Sequence, residues 1–303
     1  MRRRAGRNGN RHRAVSLFGV LTVATALMSW PSSPQLPGEA PIEFRAASLP
    51  SPAHIVIVVE ENRSQTNIIG NKAAPFINQL AANGAMMAQS FAELHPSEPN
   101  YYALFAGNTL VNANVCPVDS GNTPNLGSQL LGAGYTFAGF AESLPAVGSP
   151  ACSAGKYARK HVPWASFTNI PGSRSLPFSA FPAAGNPQNY AGLPTVSLVI
   201  PNLDNDMHDG SITRGDTWLY DNLSQYAAWA RANNSLLILT WDEDDNTPRN
   251  QIPTVFYGAD VRPGTYNEPI SHYNVLSTLE EMYGLPKLGY ATRAPAITDI
   301  WGA

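Results

Sequence analysis

The sequence is poor in cysteine, in charge and in long apolar runs, and each shortage removes a class of protein. Only Cys116 and Cys152 occur among 303 residues. They show no CxxC spacing and have no histidine beside them at ligand spacing, which excludes a zinc finger or a dithiol redox centre. Charged residues make up 14% of the chain, and 19 cations against 22 acids give a formal net charge of −3, no platform for nucleic acid. Beyond the amino terminus no stretch reaches the ~18 consecutive apolar residues of a membrane span. Internal repeats and low-complexity tracts are missing too. With 44% hydrophobic residues the chain can bury a sizeable core, so compositional disorder is excluded.

The few charges are unevenly placed. Arg2, Arg3, Arg4, Arg7, Arg11 and Arg13 precede the apolar run Ala14–Val23 and the small triplet Ala24-Thr25-Ala26. This is the order of a secretory signal peptide, so residues 1–30 read as an export signal or, uncleaved, as a membrane anchor. No acid lies in that stretch, and without it the remaining chain is distinctly acidic. Residues 31–52 carry Pro31, Pro34, Pro37, Pro41, Pro50 and Pro52 and read as a linker, leaving residues 53–303 as one folded domain. In an exported, secreted or envelope-bound chain, Cys116 and Cys152 read as a disulfide.

The run from His54 to Glu60 is continuously β-branched, too short for a helix and too apolar for a half-exposed strand. Similar runs span 195–200 and 235–240, with weaker ones at 136–140 and 253–257. Helical patterns fall between them, at 74–83, 101–106, 126–131, 217–233 and 274–283. The alternation predicts a three-layer α/β/α sandwich with a mostly parallel central sheet. In such sheets ligands bind beyond the carboxyl ends of the strands. Here those ends read Glu60-Glu61-Asn62, Pro201 through Asp204, Asp206, His208 and Asp209, and Trp241-Asp242-Glu243-Asp244-Asp245. Carboxylates gathered at one edge repel unless a cation lies among them, and oxygen-rich clusters with histidine suit a divalent ion.

A second element is the turn His95-Pro96-Ser97-Glu98-Pro99-Asn100, followed by an apolar helix and Gly107. Ser97 falls at a helix start, where it is either an N-cap or a nucleophile beside backbone N–H groups that favour an anion. His161 with Lys160 reads equally as a phosphate contact or a structural corner. His272, ahead of a helix, reads as a helix-entry residue or a site residue, and His54 as structural.

These segments together resemble the bacterial phosphoesterase family of acid phosphatases and phospholipases C. The match runs through Glu61-Asn62-Arg63-Ser64, Ala74-Pro75-Phe76-Ile77-Asn78, His95 to Tyr101, Tyr157 to Trp164, Pro201 to Asp209 and Thr240 to Asp245, nearly all of residues 53–303. The resemblance implies an alkaline phosphatase-like fold and a metal-dependent phosphoric ester hydrolase, foremost a phosphomonoesterase acting through a phosphoserine. Phospholipase C activity and a catalytically silent binding protein are the alternatives. It implies Ser97 as nucleophile, with Glu61, Asn62, Ser97, Asp242 and Glu243 around one divalent ion, be it zinc, magnesium, calcium or manganese. It implies Asp206, His208 and His272 on the opposite side of the phosphate, with a histidine as proton donor, and Asn62, His95, Lys160 and His161 as phosphate contacts. The partners it implies are small phosphate esters and no nucleic acid, with a membrane only through the amino-terminal segment.

Overall fold

The computed structural model describes residues 49–302, so the expected export segment 1–30 and most of the linker lie outside the described residues. The strands, in chain order, are β1 His54–Glu60, β2 Ala85–Phe91, β3 Phe137–Ala141, β4 Ser153–Ala154, β5 Tyr157–Ala158, β6 Ser175–Pro177, β7 Val196–Ile200, β8 Ser235–Trp241, β9 Thr254–Gly258 and β10 Gly264–Ser271. The helices are α1 Gln65–Ile68, α2 Pro75–Asn83, α3 Glu98–Ala106, α4 Leu126–Gly132, α5 Ile212–Ala232 and α6 His272–Met282. Eight strands form one sheet in the order β10-β2-β9-β8-β1-β7-β3-β6, while β4 and β5 make a separate hairpin. Only β9 runs antiparallel to its neighbours β2 and β8; every other pair in the large sheet is parallel.

The β-branched run of β1 lies at the centre because both of its faces must be covered. Ile55, Ile57 and Val59 pack with α3, α4 and α6, whereas Val56 and Val58 pack with α2 and α5. Two apolar layers separated by one sheet are the expected α/β/α sandwich. Along α5 the buried residues Trp218, Leu219, Leu223, Tyr226, Ala227 and Ala230 recur at helical spacing and form one stripe on the sheet.

Expected and observed elements differ mainly at starts and edges. Helices α3, α5 and α6 begin before the apolar pattern does, because their first turns hold polar residues that bond to loops. The sequence reading missed β2, β6 and β10 of the large sheet, together with α1 and the β4–β5 hairpin. Strand β2 has no β-branched residue, and β10 is an edge strand with alternating exposure, with Pro269 at a register shift. Gly107 closes α3 at φ 67°, and a Cβ there would meet the Leu288 carbonyl oxygen at 2.4 Å.

Cys116 and Cys152 form the expected disulfide, closing a separation of 36 residues and tying the loop after α3 to the β4–β5 hairpin. Replacing both by serine is expected to lower stability by about 3–4 kcal/mol, the loop-closure value for such a span, read from denaturant unfolding. Glu280 on α6 is buried, and burial pushes its carboxyl up to about 7. The folded state therefore binds a proton more tightly than the unfolded chain, and this stabilisation is lost as pH rises from about 4.5 to 7. Glu280→Gln, which keeps an acceptor for the Leu288 N–H, should flatten the melting temperature across that window.

Candidate active site

Strands β7, β1 and β8 are consecutive in the sheet, so their carboxyl ends form one edge, and the hydrogen-bond ladder runs on past the strands. Glu61 N–H donates to the Asp206 carbonyl at 2.8 Å, and Asp242 N–H to the Glu60 carbonyl at 3.0 Å. Asn62 turns the chain at φ 48°, which asparagine tolerates, and its N–H then donates to Asp242 Oδ1 at 3.2 Å. Three acidic strand ends meet, as the sequence pattern requires. Glu61, Asp206, Asp242 and Glu243 are each at most 4% exposed.

Ser97 arrives from a fourth direction, the loop after β2. Asn100 fixes that loop: its Oδ1 accepts from the N–H groups of Glu93 and Leu94 at 3.0 and 2.9 Å, and its Nδ2 donates to the carbonyls of Leu94 and Pro96 at 2.8 and 3.3 Å. Ser97 makes no side-chain capping bond to α3. Its hydroxyl instead lies between two carboxylates, 3.1 Å from Glu61 Oε2 and 3.0 Å from Glu243 Oε1. One helical turn on, Tyr101 donates to Glu61 Oε1 at 2.5 Å and stacks on His161 with centroids 5.2 Å apart.

His161 lies in the acidic cluster. Its Nε2 is 3.0 Å from Glu61 Oε1 and its Nδ1 is 3.5 Å from Asp206 Oδ2. The Nε2 contact lacks hydrogen-bond alignment, and Asp206 Oδ2, Asp242 Oδ2 and Asn62 Oδ1 are buried without a hydrogen-bond partner. Glu61, His161 and Asp206 each offer a donor atom within 4.8 Å of the others. Close donors with no proton aligned between them, beside orphaned carboxylate oxygens, fit a divalent cation, and imidazole with carboxylate suits zinc and its neighbours.

Without a cation, charge in the cluster is met by protons. Burial lowers the His161 pKa, but Glu61 and Asp206 outweigh it and raise the imidazole to about 9. Burial raises Glu61, yet His161, Tyr101 and Lys160 bring its carboxyl below the ordinary value. Asp206 is pushed up to about 6 and Asp242 well above its usual range, both by burial first and by neighbouring Glu61 among the added carboxylates.

A pocket of about 360 Å³ opens over this edge, walled by Asn62, Arg63, His95, His208, Glu243 and Asp244 among others. Glu243 belongs to both layers, since Oε1 accepts from Ser97 while Oε2 pairs with His95 Nδ1. His208 Nδ1 meets Asp209 Oδ1 at 2.8 Å, which leaves Nε2 for the pocket. Arg63 donates to the Met207 carbonyl at 2.8 Å and to the Asn62 carbonyl at 3.3 Å, fastening the β7 loop to the β1 turn.

Several expected placements need correction. His272 is 1% exposed and both ring nitrogens are engaged, Nδ1 by Glu93 Oε2 at 2.5 Å and Nε2 by the Trp241 carbonyl at 2.8 Å. It is a strut between the loop after β2 and the end of β8, with no N–H left for a leaving group. Asp206 sits with Glu61 and His161 and not across a phosphate from them; its Oδ1 accepts from the His208 N–H at 2.8 Å. His161 is likewise inside the acid cluster and off the pocket wall. Lys160 lines a different hollow, beside the disulfide. Sequence reasoning missed Asn100, Tyr101 and Glu93 as site residues. Tyr101 had one signal, its position four residues after Ser97.

The profile of the Phosphoesterase family matches residues 71–286. A phosphatidylinositol-3-phosphatase from Mycobacterium tuberculosis is 70% identical over 96% of this chain and 95% of its own length. An acid phosphatase from Aspergillus fumigatus is 27% identical over 90% of this chain and 67% of its own. An alkaline phosphatase superfamily protein from Vibrio parahaemolyticus superposes with a TM-score of 0.58 at 14% identity, covering 84% of this chain and 76% of that one, which shows the same fold. The chain belongs to the Phosphoesterase family and is a hydrolase acting on phosphoric esters.

Proposed function

We propose that the protein is an exported, metal-dependent phosphomonoesterase in which Ser97 becomes transiently phosphorylated, and that its substrate is phosphatidylinositol-3-phosphate. The observation that carries the reaction is the Ser97 hydroxyl held between Glu61 and Glu243 with no capping bond to its own helix. The lipid substrate rests on the name of the 70% identical relative. Export rests on the arginine-rich, apolar amino terminus together with the disulfide, which persists in oxidising compartments.

Glu61, His161 and Asp206, with Asp242 and Asn62 beside them, would hold one divalent ion. Such an ion lowers the pKa of a neighbouring hydroxyl and offsets charge on phosphoryl oxygens. Ser97 Oγ passes its proton to a flanking carboxylate and attacks phosphorus, forming a P–O bond as the ester P–O bond breaks in line with it. His208 Nε2 supplies the proton to the departing oxygen, while Asp209 at Nδ1 fixes the ring. Water then attacks the phosphoserine as His208 takes up its proton, the bond from phosphorus to Ser97 Oγ breaks, and the flanking carboxylate returns its proton to Ser97 as phosphate leaves. Asn62 and His95 on the pocket wall orient the phosphoryl oxygens, and His95 with Glu243 keeps the carboxylate turned toward Ser97.

Ser97→Ala is expected to lower kcat on an aryl phosphate by roughly three orders of magnitude or more, with acid-quench labelling losing the phosphoenzyme; parental rates would refute the nucleophile. His208→Asn should cost about 10²–10⁴-fold on an alkyl phosphate but far less on p-nitrophenyl phosphate, whose leaving group needs no proton. Exhaustive chelation should abolish activity, with elemental analysis finding one divalent ion per chain beforehand. Full activity in a metal-free preparation, or faster turnover of a bis-aryl phosphate than of the monoester, would overturn the assignment.

A further inference from the structure

A hollow of about 250 Å³ lies beside the nucleophile turn, lined by Asn114, Val115, Cys116, Cys152, Ala158 and Lys160 among others. One wall is anchored to the residue after Ser97. Asn114 Oδ1 accepts from the Glu98 N–H at 3.0 Å, and the Val115 N–H donates to the Glu98 carboxylate. The opposite wall, Ala158 and Lys160, runs directly into His161 and its 3.0 Å contact with Glu61. The disulfide joins the two walls, the segment bonded to Glu98 and the segment that leads into His161.

Its chemistry is divided. Val115 is 46% exposed, and the disulfide sulfurs and Ala158 extend the apolar floor. At the rim Lys160 has no carboxylate within salt-bridge reach among the described residues. Nearby Lys156 differs, being neutralised by Asp204 and Asp209 at 2.8 and 2.9 Å. An ammonium with no direct salt-bridge partner, beside an apolar floor, suits a ligand with an anionic group joined to hydrocarbon. The acidic main pocket takes the monoester phosphate, so the anion suited to Lys160 is a second one.

We infer that this hollow is a second substrate subsite, in which Lys160 binds the diester phosphate of an anionic phospholipid and Val115 with the disulfide floor contacts its glycerol backbone and first acyl carbons. The inference rests on the lipid-phosphatase reading given above. A hollow of this size holds no complete acyl chain, so the remaining hydrocarbon stays outside it. Contacts remote from the reacting centre can raise affinity for the whole substrate without touching the chemistry.

The test measures KM for four soluble substrates: dibutanoyl phosphatidylinositol-3-phosphate, inositol 1,3-bisphosphate, which has both phosphates and no hydrocarbon, inositol 3-phosphate, and an aryl phosphate. Val115→Asp should raise KM for the lipid about tenfold, equivalent to about 1.4 kcal/mol, with a smaller change on the bisphosphate and kcat on the aryl phosphate within twofold. Lys160→Gln should lower the preference for the bisphosphate over inositol 3-phosphate about tenfold. Val147→Asp, at a 55% exposed valine outside the hollow, should change none of these. An unchanged lipid KM in Val115→Asp, or an equal loss on lipid and aryl phosphate, would overturn the subsite while leaving the lipid-phosphatase reading intact. If the parent turns over the aryl phosphate but not the lipid, that reading itself fails, and the subsite with it.

Discussion

Four carboxylates taken out of water at the edge of one sheet are the constraint around which the structure is arranged. Glu61, Asp206, Asp242 and Glu243 are close enough for burial and mutual repulsion to push three of them above their ordinary values. Such a cluster holds together only with positive charge or protons inside it. The His161 imidazolium provides one form of compensation, and a divalent cation would provide another through the same atoms. That dual solution explains why His161 lies fully buried against Glu61 and Asp206, stacked on Tyr101, and away from the pocket wall.

The Ser97 turn depends on the same edge. Ser97 has no capping bond, so the carboxylates take its hydroxyl, and the turn needs other supports. Asn100 closes the loop on itself with four hydrogen bonds, and His272 braces Glu93 against the end of β8. They hold the Ser97 hydroxyl against acids delivered by strands far away in the chain, and a loop without them would leave that distance undefined.

Much of the frame was legible in the residues. A β-branched run such as His54–Glu60 has only one stable place, the centre of a sheet covered on both faces, and the acids that end it must then face the ligand edge. Strand β2 was illegible because Ala85-Met86-Met87-Ala88 has no strand preference of its own and is held by its neighbours β9 and β10. The histidines were the least legible part of the site. Whether a ring meets solvent, a carboxylate or a carbonyl is set by residues from 31 to 179 positions away. His272 is held by Glu93 and Trp241, and His161 by Glu61 and Asp206.

The sequence by itself determined the layered α/β class, the family, the pairing of its only two cysteines and the set of acids at the strand ends. These follow from local periodicity, from composition and from ordered motifs, all of which are written along the chain. Tertiary structure alone decided that Ser97 serves two carboxylates and not its helix, that His161 and Asp206 join Glu61, that His272 is a brace, and that Lys160 faces an apolar hollow beside the disulfide. Each of these is a contact between segments brought together by the strand order, and the direction of a side chain across such a contact is fixed by packing, not by its neighbours in sequence.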